Sequence, residues 1–186
     1  MTIEEIFKKI ASHQIKGMMV HEQMANYYDF LGLCEYKRCH EYHFIKETLS
    51  YRSICRYYIS HHNKFIEEEQ IDNPNVIPSS WYKYTRQDVD INTKRNAVKE
   101  GLDMWLKWER ETKSLYEMLY KEAFNLGYIA DSCKIKELIN DVDCELKKVE
   151  KYALNKKAID YNITSIIAEQ GKKHSKYKKK IHDIYI

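Results

Sequence analysis

Two glutamates occupy positions at which a helical pattern otherwise places apolar residues. Within residues 98–123 and again within 135–152, apolar side chains recur at alternating steps of four and three, and Glu109 and Glu145 each fill one such position. The two glutamates lie equally far from Gly127 along the chain, one before it and one after it. An antiparallel hairpin that turns at this glycine therefore brings both carboxylates to the same level, where a charge is costly unless it is paired or bound to a metal ion.

A second group of candidate ligands surrounds Gly32. Glu22 precedes this glycine and His43 follows it at nearly the same distance along the chain, so a turn here places the two side chains at one level. Glu47 follows His43 by one helical turn on the same stripe. The stripe that contains Glu22 consists of Ile15, Met18, Glu22 and Ala25.

Carboxylates and imidazole from four helices are the ligands of di-iron and di-manganese carboxylate sites. The spacing therefore predicts a metal site for iron or manganese made of Glu22, His43, Glu47, Glu109 and Glu145. The alternative is that these glutamates lie at the edges of the stripes, pair with lysine or tyrosine or reach solvent, and that no metal is bound.

Helix-breaking residues divide the chain into the elements that must position these side chains. Gly32 and Gly127 mark two short turns, and Pro74 and Pro78 mark a longer connection. We predict helices from near Thr2 or Ser12 to Leu31, from Cys34 to Glu69, from Asn92 or Thr93 to Leu126, and from just after Gly127 to about Asn155. The short connections join the helices into two antiparallel hairpins, which make up a bundle domain over residues 1–155.

The connection between the hairpins, about residues 70–92, is long enough to cross a bundle ~40 Å in length, because extended chain covers ~3.3 Å per residue. We expect it to lie over the bundle surface and to bury Trp81. A basic helical extension is predicted over 156–186, either continuing the last helix or folding back.

The composition agrees with an all-α protein. Only five glycines and two prolines occur, which nearly excludes sandwiches and barrels, and no apolar run is long enough to span a membrane. The acidic start does not resemble a signal peptide, and the five cysteines include no closely spaced pair, so we expect a cytoplasmic location. Phosphate-binding and hydrolase motifs are also missing from the sequence.

Two segments resemble the metal-binding helices of a known family. WERETKSLYEMLYKEA, residues 108–123, is similar to the third helix of ferritins, and Glu109 falls on the metal-binding glutamate of that helix. HFIKETLS, residues 43–50, resembles the second helix of ferritins and rubrerythrins, where an ExxH motif supplies a bridging carboxylate and an imidazole. Glu47 matches the glutamate, and Ser50 stands at the position of the histidine.

The resemblance continues in the fourth helix, where Glu145 matches the glutamate of a second ExxH motif and Lys148 stands at the position of its histidine. It covers roughly residues 12–155 and implies a ferritin-like four-helix bundle with oxidase, peroxide-scavenging or iron-handling activity, and a homo-oligomer, with a dimer expected. Serine is a poor ligand and lysine repels a cation, so we expect at most one tightly held metal ion, with His43 as its imidazole. Lys148 alternatively forms a salt bridge with the carboxylates and replaces the charge of the metal.

The second functional hypothesis is a bundle that has lost its metal centre and serves as an interaction or structural module. Residues 147–180 contain eleven lysines against three acidic residues, and such a segment could attract nucleic acid or another anionic surface. Its alternative is a solvated helix face.

Overall fold

Four long helices make up most of the part of the chain that the structure describes, and they are the elements that the sequence predicts. The computed structural model describes residues 1–77, 79–169 and 179–182, and these ranges contain helices, turns and irregular segments but no strand. The helices are α1 (Ile3–Phe30), α2 (Cys34–His62), α3 (Ile91–Asn125) and α4 (Ile129–Ala158), and two 3₁₀ turns, Ser79–Lys83 and Arg86–Asp88, lie between α2 and α3. The predicted all-α class is confirmed.

Side-chain caps start α1 and α3. The Thr2 hydroxyl accepts a hydrogen bond from the Glu5 backbone N–H, and the Glu5 carboxylate accepts one from the Thr2 N–H. At the start of α3, the Asp90 carboxylate accepts from the Thr93 N–H at 2.7 Å. Such caps satisfy backbone donors that have no partner within the helix.

Glycines make the two short turns, as the sequence predicts. Gly32 has a φ of +70° and Gly127 a φ of +81°, values at which a residue with a Cβ is strained. In contrast, α2 was expected to reach Glu69 but ends at His62, because Asn63 turns into the left-handed region with a φ of 53°. The chain from Lys64 onward is therefore available to the crossover.

Each hairpin is antiparallel. Within the first, the rings of Phe7 and Tyr58 lie 5.1 Å apart near one end, and those of Tyr28 and Tyr36 lie 4.9 Å apart near the other. In the second hairpin, Lys113 pairs with Asp143, and residues earlier in α3 pair with residues later in α4.

The two hairpins face each other with α1 against α3 and α2 against α4. Tyr28 packs on Gly101, where an added Cβ would lie 2.0 Å from the tyrosine oxygen, so this close approach of α1 and α3 requires glycine. His62 of α2 bonds to Asp131 of α4 at 2.9 Å. Because α1 is antiparallel to both α2 and α3, those two helices are parallel, and the crossover between them must travel the length of the bundle.

The crossover follows α1 along its outer face. The Glu69 N–H donates to the Ser12 hydroxyl at 2.8 Å, and the Val76 N–H donates to the Gln23 side chain at 2.9 Å. Farther along, Trp81 is 8% exposed and packs on the rings of Tyr27 and Phe30, as expected for an aromatic residue that anchors the segment.

Two hydrophobic clusters fill the interior, one toward each end of the bundle. The first contains Val20, Met24, Tyr28, Leu102, Trp105 and Val149 among others, and the second contains Ile6, Phe7, Ile10, Ile54, Leu119 and Ile135 among others. Between them lie polar side chains that are nevertheless buried: Gln14, His21, His40, His43, Glu109, Thr112 and Glu145. This polar layer is the feature of the core that needs a functional explanation.

The predicted C-terminal extension, 156–186, begins inside α4, and its described part packs on the bundle. Residues 163–169 are helical, and Ile163 and Ile166 belong to the first hydrophobic cluster. Lys156 is 2% exposed and pairs with Glu169. Residues 170–178, which hold four of the eleven lysines behind the nucleic-acid alternative, lie outside the described residues.

Among the helices of the described chain, none combines the length and the apolar character that a membrane span requires.

Adjacent isoleucines test whether the segment after α4 stabilises the bundle. Ile166 is fully buried and Ile167 is 51% exposed. We expect Ile166→Ala to lower the free energy of unfolding by about 2–4 kcal/mol, because a buried side chain leaves a cavity. Ile167→Ala should change it by less than about 0.5 kcal/mol. Urea denaturation compares the two variants, and equal effects would show that the segment is not part of the core.

Candidate functional site

A cavity of about 350 Å³ opens between α2, α3 and α4 at the level of the polar layer. Four of the five predicted metal ligands line it: His43, Glu47, Glu109 and Glu145. Its other polar lining residues include Lys46, Ser50, Thr112, Lys134, Glu137 and Asp141. The register set by the two glycine turns thus brings candidate ligands from three helices to one space.

Glu145 is surrounded by donors. His43 Nε2 lies 3.1 Å from its Oε1, and Lys46 Nζ and Lys148 Nζ lie 3.2 and 3.1 Å from its Oε2. Burial alone would raise the pKa of Glu145, but the His43 hydrogen bond and the lysine charges outweigh burial and hold the pKa well below its ordinary value. Glu145 is therefore ionised at neutral pH, and Lys148 makes the salt bridge that the sequence suggested.

Glu109 has a single neutral donor. The Trp105 indole N–H donates to Glu109 Oε1 at 2.8 Å. Burial raises the pKa of Glu109 to about 7, with a further contribution from the negative charge of Glu145, although the indole hydrogen bond opposes the rise. This carboxyl group is partly protonated at neutral pH.

Glu47 has even less compensation. Burial, followed by repulsion from Glu109, raises the pKa of Glu47 to about 8. Gly17 of α1 makes room for this side chain, because a Cβ at that glycine would lie 3.2 Å from Glu47 Cδ. Two carboxyl groups that face one cavity thus hold protons near neutral pH, a state that a nearby cation would reverse.

Three histidines extend the polar layer beyond the cavity. The Nδ1 atoms of His21 and His40 lie 3.0 Å apart, and the His21 ring lies 5.1 Å from that of His43. Burial lowers the pKa of all three imidazoles, so they are neutral at pH 7. The Nε2 atoms of His21 and His40 are buried without a hydrogen-bond partner among the described residues, and the edge of Trp105 covers His40 and His43.

The structure does not bring Glu22 to this cluster. Glu22 is exposed on the outer face of α1, where Asn26 is its neighbour, and the placement of Glu22 on an inner stripe is corrected. His21, one residue earlier, takes the inner position. The inner row of α1 in fact runs through Phe7, Ile10, Gln14, Gly17, His21, Met24 and Tyr28.

Lys46 is a residue of the cavity that the sequence patterns above do not predict. A lysine normally lies on the surface, yet the side chain of Lys46, the residue before Glu47, lines the cavity. Ser50, at the position of the first missing histidine, accepts a hydrogen bond from the Gln14 side chain at 2.7 Å. The signal for Lys46 was its place three residues after His43, which puts it on the same helical face.

The donor set fits one divalent cation better than two. Carboxylates with one imidazole suit manganese or iron, but the ammonium groups of Lys46 and Lys148 occupy one oxygen of Glu145. In the ranges that the structure describes, no group of three or more His, Cys, Asp or Glu side chains already has the arrangement of a metal site. Binding would therefore require the side chains around the cavity to rearrange.

Comparisons with protein-family models, with curated proteins and with solved structures find no match to this chain.

The raised pKa values predict a stability that depends on pH. Glu47 holds its proton in the folded protein up to about pH 8 but releases it near pH 4.5 when unfolded. The contribution of Glu47 to the free energy of unfolding therefore falls as the pH rises through this window. We expect Glu47→Gln to have about the stability of the wild type near pH 5 and to exceed it by about 2 kcal/mol or more near pH 8.5. Denaturant unfolding at the two pH values measures the difference.

The exposed Glu22 supplies the matched control for this comparison. Glu22→Gln should differ from the wild type equally at both pH values, and the buried histidines affect all three proteins alike. A Glu47→Gln variant whose advantage does not grow with pH would contradict the assignment of a proton to this carboxyl group. The charges that face Glu47 are those of Lys46, Glu109 and Glu145.

Proposed function

We propose that this protein is a ferritin-like four-helix bundle that binds one divalent iron or manganese ion in the cavity between α2, α3 and α4. The ligands are the carboxylates of Glu47, Glu109 and Glu145 with the imidazole of His43. The observation that carries the proposal is that Glu47 and Glu109, both with raised pKa values, face one cavity without a lysine or arginine bonded to either carboxyl group in the described chain.

Elementary electrostatics supports this assignment. A buried carboxylate without a cation is destabilising, and the same group becomes favourable when a dication replaces its proton. The two neighbouring carboxyl groups, with pKa values of about 8 and 7, are poised to exchange protons for a metal ion near neutral pH. His43 adds a neutral nitrogen donor, because burial lowers its pKa and keeps it unprotonated.

The arrangement of helices is compatible with the ferritin-like resemblance. Two antiparallel hairpins joined by one long crossover form the topology of ferritin-like bundles, and the cavity lies where helices of such a bundle carry inward-facing glutamates. When bound, iron or manganese would supply one-electron redox chemistry. The protein residues would position the ion and release protons from Glu47 and Glu109 on binding.

A second candidate function has one specific observation in its favour. Lys46 and Lys148 neutralise Glu145 without a metal ion, as expected of a bundle that serves only as an interaction or structural module. The homo-oligomer implied by the resemblance stays a prediction under either function.

Manganese binding tests the proposal directly. Protein purified without chelator should bind close to one Mn²⁺ per chain in calorimetry, and Glu47→Gln and Glu109→Gln should each weaken binding at least about tenfold, because each removes a ligand and a compensating charge. The affinity should also fall at least about tenfold from pH 8 to pH 6, since protons compete for the carboxylates.

The control is again Glu22→Gln. Glu22 lies next to His21 on α1 but points away from the cavity, so this substitution should leave the affinity unchanged. Two tightly bound ions per chain would contradict the single-site geometry. A wild type that binds no Mn²⁺ or Fe²⁺ at any pH near neutrality would favour the module without a metal.

A further inference from the structure

Lys46 reaches into the cavity from the helix that also carries His43 and Glu47. Its Nζ lies 3.2 Å from Glu145 Oε2, and its side chain is 38% exposed. Lys46 therefore lines the cavity and is also partly exposed to solvent. Its positive charge acts on Glu47 and Glu109 as well as on Glu145, so this one lysine favours the ionised form of all three carboxyl groups.

We propose that Lys46 is a tethered internal cation that occupies the carboxylate cluster in the absence of metal and is displaced into solvent when a divalent ion enters. This inference rests on the proposed function, because it assigns the residue that competes with the metal ion. In the exchange, the ammonium group leaves Glu145 Oε2 and becomes hydrated, while the entering dication takes its place among the carboxylates.

The geometry makes this displacement feasible. A lysine side chain has four methylene groups, so its ammonium can move several ångströms while the stem stays packed on the helix. The partial exposure of Lys46 gives the ammonium a direct route to water. A fully buried lysine would have to lose its proton or remain in place.

Lys148 differs from Lys46 in its exposure and in its position outside the cavity. It bonds to the same oxygen of Glu145 at 3.1 Å, but its side chain is 68% exposed and it does not line the cavity. Solvent screens such a pair, and exposed salt bridges contribute little. The two lysines therefore form a matched comparison: one charge inside the ligand cluster and one at its edge.

The imidazole of His43 also gives the site a selectivity. Every entering dication has to displace the same ammonium, so the ligands distinguish the ions, and those that gain from an imidazole have an advantage over those that prefer oxygen ligands and keep their water. We expect Mn²⁺ and Fe²⁺, which accept nitrogen from His43, to be favoured over Mg²⁺. Removing the ammonium should strengthen the binding of Mn²⁺ and Mg²⁺ by about the same factor, because either ion has to displace it.

Calorimetric titration with Mn²⁺ tests the inference in the full-length wild type, Lys46→Met and Lys148→Met. Methionine keeps most of the apolar stem and removes the charge. We expect Lys46→Met to bind Mn²⁺ at least about tenfold more tightly than the wild type, because the ion no longer has to displace an ammonium group from Glu145. Lys148→Met should bind within about threefold of the wild type, because its charge is screened by solvent.

The outcomes separate this inference from the proposed function. If the wild type binds Mn²⁺ and Lys46→Met binds it no more tightly, the role of Lys46 is refuted and the metal site stands. If only Lys46→Met binds, Lys46 blocks the cavity and is not displaced, so the displacement is refuted and the native protein is not a metal-binding protein. If neither binds, both ideas are wrong.

Amine labelling of the wild type supplies a readout that does not depend on a variant that folds. A brief pulse of acetic anhydride, followed by peptide mass spectrometry, reports how accessible each lysine is. Saturating Mn²⁺ should raise the acetylation of Lys46 severalfold, whereas Lys148 should change little because it is already exposed. Protection of Lys46 by Mn²⁺, or no change in a protein that binds the ion, would overturn the displacement.

Discussion

The interior of this bundle depends on how three carboxylates are accommodated away from water. Each is handled differently: Glu145 is ion-paired, Glu109 accepts one indole hydrogen bond, and Glu47 faces the cavity beside it. An unpaired buried charge costs several kcal/mol, so the carboxylates of the polar layer destabilise the bundle unless their charges are compensated. It is stable only while protons, lysines or a bound cation balance the carboxylates.

The architecture exists in the form needed to bring this layer together. The turns at Gly32 and Gly127 fix the register within each hairpin, and the long crossover lets α2 and α3 run parallel, so that α2 faces α4. A short connection would instead place α3 directly beside α2 and antiparallel to it. Then α2 would no longer face α4, and His43 would not meet Glu145. The close contact of Tyr28 with Gly101 then holds the hairpins together on the side opposite the cavity.

Much of this could be predicted from the sequence, because helix breakers and apolar periodicity are local signals. The apolar periodicity correctly placed Glu109 and Glu145 on inner faces. Their equal spacing from Gly127 predicted that they lie at one level, and both line the same cavity. Glu22 was misplaced because the true inner row of α1 contains Gln14, Gly17 and His21. This row is less apolar in sequence than the adjacent row that contains Glu22. The early end of α2 depends on the conformation of Asn63, and the inward reach of Lys46 depends on a partner far along the chain, Glu145, neither of which local patterns reveal.

The charge states of the layer explain why one fold can serve with or without an ion. Near neutral pH, the Glu145 carboxylate is balanced by Lys46, Glu47 is largely and Glu109 partly protonated, and the buried histidines are neutral, so the interior carries little net charge. In the proposed exchange, a dication enters while protons and one ammonium leave, and the interior again carries little net charge. Because neither state leaves an uncompensated carboxylate, the helices need not rearrange between them, and the ion shifts the side chains of the cavity while the bundle stays folded.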